Sequence, residues 1–138
     1  MKFLGFKRKD GSVGVRNHVL ILPSCACASE TCRVVASQVL GTKNVIINVG
    51  CSDVTANTEM TQRVLTGFAL NANVFGVVVI GLGCETVGHR ELAEKIRKLS
   101  DKPVVSSEFK KKAEPSKQQL LPLRRLGKWL KRQASCKK

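Results

Sequence analysis

Phe-Gly-Val-Val-Val-Ile occupies residues 75–80 and is the most apolar run in the chain. An uninterrupted apolar run of this length predicts a strand that is buried on both faces of a sheet. Residues 19–22 (Val-Leu-Ile-Leu) form a similar run, residues 44–49 form a weaker one, and Pro103-Val104-Val105 begins a fourth. The chain therefore predicts four core strands.

Amphipathic segments separate these runs and predict helices over residues 29–40, 58–70 and 90–99. The side chains expected to face inward are Cys32, Val35, Ala36 and Val39, then Met60, Val64 and Phe68, then Leu92, Ala93, Ile96 and Leu99. Strands that alternate with helices predict an α/β fold with three layers and a mostly parallel sheet, as in one half of a Rossmann or flavodoxin-like domain. A short N-terminal hairpin is expected before it, because Lys9-Asp10-Gly11-Ser12 lies between two short runs that contain apolar residues.

Charge divides the chain into two parts. The 138 residues carry a formal net charge of +14, but residues 106–138 hold 11 Lys and Arg against 2 Asp and Glu. We therefore predict a partial catalytic domain over 1–105 and a basic tail over 106–138, disordered or folded as one helix. No apolar run is long enough for a membrane span, so a cytoplasmic protein with no membrane partner is expected. Cysteines in that compartment are thiols or metal ligands rather than disulfides.

Each of the first three predicted strands leads into a loop that contains cysteine. These loops are Pro23-Ser24-Cys25-Ala26-Cys27, Gly50-Cys51-Ser52-Asp53 and Gly81-Leu82-Gly83-Cys84-Glu85. The carboxyl ends of parallel strands share one edge of the sheet, where ligands bind. Adjacent strands lie roughly 5 Å apart, so the three loops are expected to converge within about 10 Å.

Several residue types at this edge have both a functional and a structural interpretation. A free cysteine is often only a small buried apolar residue, and Cys32 fits that role, whereas Cys51 and Cys84 each follow a glycine in a loop. Glu85 is a candidate metal ligand or general base, or else a carboxylate favoured by the dipole of the following helix. The histidines His18 and His89 are expected at the surface.

Three motifs carry a resemblance to a known family. Residues 10–20 (Asp-Gly-Ser-Val-Gly-Val-Arg-Asn-His-Val-Leu), Gly50-Cys51 and Gly81-Leu82-Gly83-Cys84-Glu85 resemble, in this order, the catalytic region of the altronate/galactarate dehydratases. That family includes the large subunit of sulfolactate sulfo-lyase. The resemblance covers about residues 4 to 105. Family members remove water, or sulfite in the sulfo-lyase, from hydroxylated acids and leave a keto acid.

The resemblance implies a hydro-lyase that depends on a divalent metal, with iron(II) expected. Loss of a β-hydroxyl group needs a base for the proton next to the carboxylate and an electrophile for the departing hydroxide. Glu85 and Cys84 are the implied catalytic residues. The implied substrate-binding residues are Arg16, Asn17, Gly81 and Gly83. The implied metal ligands are Cys51, Cys84 and Cys25.

The chain departs from the family at two places. Family members usually carry a histidine shortly before the Gly-Cys of the second loop, whereas residues 46–49 are Ile-Ile-Asn-Val. After the fourth strand the family continues with a sequence like Ile-Gln-Glu-Glu-Gly-Gly-Thr. One permitted back-translation of residues 108–118 encodes that sequence in another reading frame. We therefore expect a frameshift near residues 106–108 and a truncated domain, which the nucleotide sequence of the gene tests.

Several functions remain as alternatives. The first is a fragment of a sugar-acid dehydratase that acts on altronate or galactarate and is inactive alone. The second is a subunit of a (2R)-sulfolactate carbon–sulfur lyase. The third is an enzyme whose site is completed by another chain. That chain would be a partner polypeptide, the missing remainder of the enzyme or a second copy of this chain. The fourth is a nucleic-acid-binding module, against which the tail location of the charge argues. Its contacts would be Lys110 to Lys112, Arg124, Arg125, Lys128, Trp129, Lys131 and Arg132.

Overall fold

The computed structural model describes residues 4–51, 54–83 and 85–109. The described chain begins with an antiparallel hairpin of β1 (Phe6–Lys7) and β2 (Val13–Gly14). In the connecting turn, the Asp10 carboxylate accepts hydrogen bonds from the backbone N–H and the hydroxyl group of Ser12, at 2.9 and 2.7 Å. The predicted N-terminal hairpin is confirmed.

A parallel four-stranded sheet forms the centre of the domain. Its strands are β3 (His18–Pro23), β4 (Thr42–Asn44), β5 (Val74–Gly81) and β6 (Val104–Glu108). The strand order is β4-β3-β5-β6, and all neighbouring pairs are parallel. The chain turns from one side of β3 to the other, so β3 and β5 flank the point where the strand order reverses, which is where open α/β sheets bind ligands.

The helices cover both faces of this sheet, which confirms the predicted α/β fold with a mostly parallel sheet. They are α1 (Ala26–Gln38), α2 (Thr55–Leu70) and α3 (His89–Leu99). One face packs against α1 and buries Val19, Ile21, Val78 and Ile80 with Cys25, Ala28, Cys32 and Val35. The other face packs against α2 and α3 and buries Leu20, Leu22, Val77 and Val79 with Leu65, Ala69, Leu92 and Ile96.

Strand β4 is shorter than predicted and lies earlier in the chain. The expected strand over residues 44–49 is wrong, because regular pairing with β3 covers only Thr42–Asn44. Beyond it, the Ser29 hydroxyl of α1 accepts a hydrogen bond from the Ile47 N–H and contacts the Ile47 carbonyl, both at 3.1 Å. The segment therefore leaves the sheet edge and crosses the first turns of α1.

The inward faces of α2 and α3 also differ from the prediction. Met60, Val64 and Phe68 were expected inside, but they are 58%, 48% and 47% exposed. The buried face of α2 lies beside these residues. It contains Leu65 and the small Ala69, which pack against the sheet. The list of inward residues of α3 is confirmed for Leu92, Ala93 and Ile96, whereas Leu99 in its last turn is 58% exposed.

Several predictions fall on residues outside the described part of the chain. These are residues 110–138 of the predicted basic tail, expected to be disordered or one helix, and the loop residues Ser52, Asp53 and Cys84. Among the described helices, none has both the length and the apolar character that crossing a bilayer requires.

Candidate functional site

The loops that follow β3, β4 and β5 are joined by backbone hydrogen bonds. The Ala26 N–H at the start of α1 donates to the Val49 carbonyl at 2.8 Å. The Thr86 N–H, in the loop after β5, donates to the Gly50 carbonyl at 3.0 Å. The middle loop is therefore bonded to both of its neighbours, which confirms that the three loops converge at the carboxyl edge of the sheet.

Gly50 lies where two of these loops make their closest approach. Its φ of 104° is in the left-handed region, and it is buried. A Cβ atom there would stand 2.8 Å from the Ser24 carbonyl oxygen and 2.9 Å from the Cα of Cys25. Glycine is required at this position for both its conformation and its size.

Cysteine thiols gather beside this contact. The Sγ atoms of Cys27 and Cys51 are 3.8 Å apart, and the Cys25 thiol is fully buried next to them. Burial, together with the neighbouring thiols of Cys27 and Cys25, raises the pKa of Cys51 above that of an ordinary cysteine. The Cys51 thiol is therefore protonated at neutral pH unless a ligand displaces the proton.

Cys32 belongs to the core of the domain. It lies on the inner face of α1 and is fully buried, and burial, with the neighbouring Cys25 thiol, raises the pKa of its thiol to about 12. Its predicted packing role fits this position.

The predicted metal site is only partly within the described residues. Two of its expected ligands, Cys25 and Cys51, lie together, and Cys84 lies outside the described residues. In the described part of the chain, no group of three or more His, Cys, Asp or Glu side chains is arranged to hold a metal ion.

Glu85 is the most heavily hydrogen-bonded side chain of the edge. Its Oε2 accepts from the backbone N–H groups of Leu82 and Gly83, at 3.2 and 2.7 Å. Its Oε1 accepts from the Ser24 hydroxyl at 3.1 Å, from the His89 backbone N–H at 3.3 Å and lies 3.0 Å from His89 Nδ1. The carboxylate thus joins the loop after β3, the turn after β5 and the start of α3.

These hydrogen bonds set the charge of Glu85. The carboxylate is 2% exposed, and burial alone would raise its pKa. The hydrogen bonds from His89, from the backbone of the turn and from Ser24 outweigh burial and lower the pKa of Glu85 to about 2. Glu85 is therefore an anion at neutral pH and a weak proton acceptor.

Two partners of Glu85 were not identified from the sequence. His89 was predicted at the surface, but it is 7% exposed, and Ser24 is fully buried. Glu85 precedes α3 and His89 is the first residue of that helix, so no helical spacing in the sequence marks the pair. The prediction failed because it started the third helix at residue 90, beyond this histidine.

Gly81 makes room for the carboxylate and the imidazole. A Cβ atom at Gly81 would overlap Glu85 Oε1 and would stand 2.6 Å from His89 Nδ1. Gly81 and Gly83, the predicted substrate-binding glycines, both lie at this edge with Glu85.

Arg16 and Asn17 lie at the amino ends of the strands, opposite to the cysteine loops. Both precede β3, and the Arg16 backbone N–H donates to the Asn73 side chain at 3.0 Å, next to the start of β5. At about 3.3 Å per residue, the six residues of β3 separate them from the cysteine loops by roughly 20 Å. The structure therefore does not bring these two predicted substrate-binding residues together with Gly81 and Gly83. The Asn17 Oδ1 atom is buried and has no hydrogen-bond partner within the described residues.

Three curated enzymes are similar to this chain. It is 31% identical to an altronate dehydratase from Bacillus subtilis over 109 residues, which are 72% of this chain and 21% of that protein. It is 36% identical to the (2R)-sulfolactate sulfo-lyase subunit beta of Chromohalobacter salexigens over 80 residues (58% of this chain, 21% of that protein). It is 33% identical to an altronate dehydratase from Escherichia coli over 90 residues (58% of this chain, 18% of that protein).

The chain spans about a fifth of the length of these relatives. No solved structure matches it significantly. The sequence profile described as "D-galactarate dehydratase/Altronate hydrolase, second domain" matches residues 5–127, which confirms the resemblance seen in the sequence. The chain therefore belongs to the D-galactarate dehydratase/altronate hydrolase family and corresponds to the second domain of its members.

Proposed function

We propose that this chain is part of a lyase that removes water from polyhydroxy acids of the altronate or galactarate type and yields 2-keto-3-deoxy acids. The observation that carries this proposal is the family match over residues 5–127. Two of the three named relatives are altronate dehydratases, and the loops that resemble theirs are the ones that converge here. One of the three relatives is a sulfo-lyase subunit, so the alternative of a carbon–sulfur lyase subunit is not favoured over dehydration.

The geometry favours a positioning role for Glu85. Elimination of a β-hydroxyl group needs a base that accepts a proton near neutral pH, and a carboxylate with a pKa of about 2 accepts one poorly. Both oxygens of Glu85 are occupied by donors from its own loops. We therefore propose that Glu85 fixes the turn of Gly81 and Gly83, whose backbone then approaches the acid.

The cysteines of this edge are the proposed metal ligands. Cys25 and Cys51 would contribute thiol ligands to a metal at this edge, together with Cys84. A divalent metal, expected to be iron(II), would supply a Lewis acid for the departing hydroxide when it is bound. Cys84 is also proposed as a catalytic residue, because the resemblance to the family implies that role.

We also propose that the chain is inactive alone and that another polypeptide completes its site. The chain matches about a fifth of that relative's length, and efficient elimination needs a base, an acid and the substrate held together. One relative is itself named as a subunit. The purified chain is expected to form no keto acid from altronate or galactarate.

A chimera tests the proposed function directly. The segment of the Bacillus subtilis altronate dehydratase that aligns with this chain is replaced by the corresponding residues of this chain, and keto acid formation from altronate is measured. The matched control carries Gly81→Val, which would displace Glu85 and His89. We expect the first chimera to dehydrate altronate and the control to lose activity. A folded first chimera that is no more active than the control would contradict the proposal.

A further inference from the structure

A basic cavity lies at the amino end of the sheet, opposite to the cysteine loops. Its volume is about 470 Å³, and it opens between the N-terminal hairpin and the end of α3, beside the first residues of β5. Six of its lining residues are cations: Lys7, Arg8, Lys9, Arg97, Lys98 and Lys102. This volume is in the range of small-ligand sites.

The acidic residues of the cavity compensate little of this charge. Among the described residues, Asp10 and Asp101 are the only carboxylates that line it. The Asp10 carboxylate accepts the two hydrogen bonds from Ser12 within the hairpin turn. Asp101 lies 3.6 Å from the ammonium group of Lys9, in a pair that is largely exposed. Six cations against two carboxylates leave a strong local excess of positive charge.

Two of the cations are held in fixed positions. Arg8 Nε donates to the Ala72 carbonyl at 2.7 Å. The ammonium group of Lys102 donates to the carbonyls of Ala69 and Asn71, at 3.0 and 2.6 Å. Both cations therefore sit at the carboxyl end of α2. Burial and the nearby charge of Arg8 lower the pKa of Lys102 to about 8, a cost that a bound anion would offset.

Two other cations stand free at the rim. Lys7 belongs to β1 and Lys98 to the last turn of α3, and both are exposed. Within the described residues, neither makes a hydrogen bond or an ion pair. Their flexible side chains can reach a ligand without breaking a contact of the fold.

We propose that this cavity binds a small polyphosphate, such as the diphosphate group of a nucleotide. Such a ligand carries several charges within a few ångströms, and the cations converge on the cavity from the hairpin and from the end of α3. The guanidinium groups of Arg8 and Arg97 suit phosphate oxygens, and lysines supply further positive charge. A volume of about 470 Å³ suits a small ligand better than a nucleic acid, which binds along an extended basic surface.

The test is a calorimetric titration of the full chain with inorganic pyrophosphate at low and at physiological ionic strength. The test variant combines Lys7→Gln with Lys98→Gln. The matched control combines Lys43→Gln with Arg90→Gln, which removes the same charge from exposed positions outside the cavity. We expect the test variant to weaken binding at least tenfold and the control to weaken it less than threefold.

Further variants and a second readout distinguish the cavity from the basic tail. A variant with Lys110→Gln, Lys111→Gln and Lys112→Gln is expected to bind pyrophosphate as the unaltered chain does. In that unaltered chain, NMR of the lysine side chains is expected to show the pKa of Lys102 rising when pyrophosphate binds. Equal weakening by test and control variants, loss of binding in the tail variant, or an unmoved Lys102 would each overturn the proposal. Tight binding of an oligonucleotide, without binding of pyrophosphate, would also overturn the proposal.

Discussion

Replacing Glu85 by glutamine tests the electrostatics of the carboxyl edge. In the folded chain the pKa of this carboxyl group is about 2, against an ordinary value of 4.5. At 1.36 kcal/mol per pKa unit, this difference corresponds to about 3 kcal/mol of folding free energy at neutral pH. Glutamine keeps the shape of the side chain and loses the charge, so Glu85→Gln is expected to lower the free energy of unfolding by about 3 kcal/mol at pH 7.

The stability difference between the unaltered chain and Glu85→Gln is expected to depend on pH in a definite direction. A carboxyl group whose pKa is lowered by folding stabilises the protein above its unfolded pKa, and it loses that contribution as the pH falls through its folded pKa. The difference between the unaltered chain and Glu85→Gln is therefore expected to be full above about pH 5. It should shrink toward zero between about pH 4.5 and pH 2. Urea unfolding followed by circular dichroism at several pH values measures it.

A matched variant separates this effect from a general loss of charge. Glu94 lies exposed on α3 and makes no hydrogen bond within the described residues, so Glu94→Gln is expected to change stability by less than about 0.5 kcal/mol. The reasoning is refuted if Glu85→Gln is as stable as the unaltered chain at pH 7. It is also refuted if the loss of stability is the same at pH 7 and at pH 2.5.

Three further predictions follow from contacts described above. Gly81→Ala should destabilise the chain by about 1–3 kcal/mol, because the added Cβ atom overlaps the buried carboxylate of Glu85. Gly67→Ala, at an open position inside α2, should instead stabilise the chain by about 0.5–1 kcal/mol. Thermal unfolding measures both variants, and equal effects would contradict this prediction. Ser29→Ala should cost about 1–3 kcal/mol, because a backbone N–H of the segment after β4 loses its hydrogen-bond partner; urea unfolding tests it, and a loss below 0.5 kcal/mol would count against that role. In the native chain, a thiol reagent should label the exposed Cys27 before the buried Cys32, and peptide mass spectrometry showing the opposite order would disprove the packing of α1.

The strands that could be predicted from the sequence are the ones buried on both faces. β3 and β5 lie at the centre of the sheet, so their residues are apolar without interruption and the pattern is unambiguous. β4 lies at an edge and has only three residues. The apolar Ile46 and Ile47 after it resemble a strand, but their path is decided by a hydrogen bond to Ser29, a contact that no local pattern records.

The candidate site was predictable to a similar extent. Glycines and cysteines after buried strands indicated the loops, because chain direction alone places the ends of parallel strands at one edge. The pairing of Glu85 with His89 and Ser24 depends on where α3 begins and on a contact between distant loops. The position of Arg16 at the far edge follows from strand direction, but the resemblance to the family had grouped it with the glycines.

The peptide groups that join the three loops have a consequence for the evolution of this edge. The bonds from Ala26 to Val49 and from Thr86 to Gly50 use only main-chain atoms, so they do not depend on which side chains the loops carry. Mutations in the loops can exchange thiols, carboxylates or amides while the spacing between the loops is retained. Such an arrangement lets one scaffold carry different chemistry at this edge, and a dehydratase and a sulfo-lyase subunit are both found among the relatives of this chain.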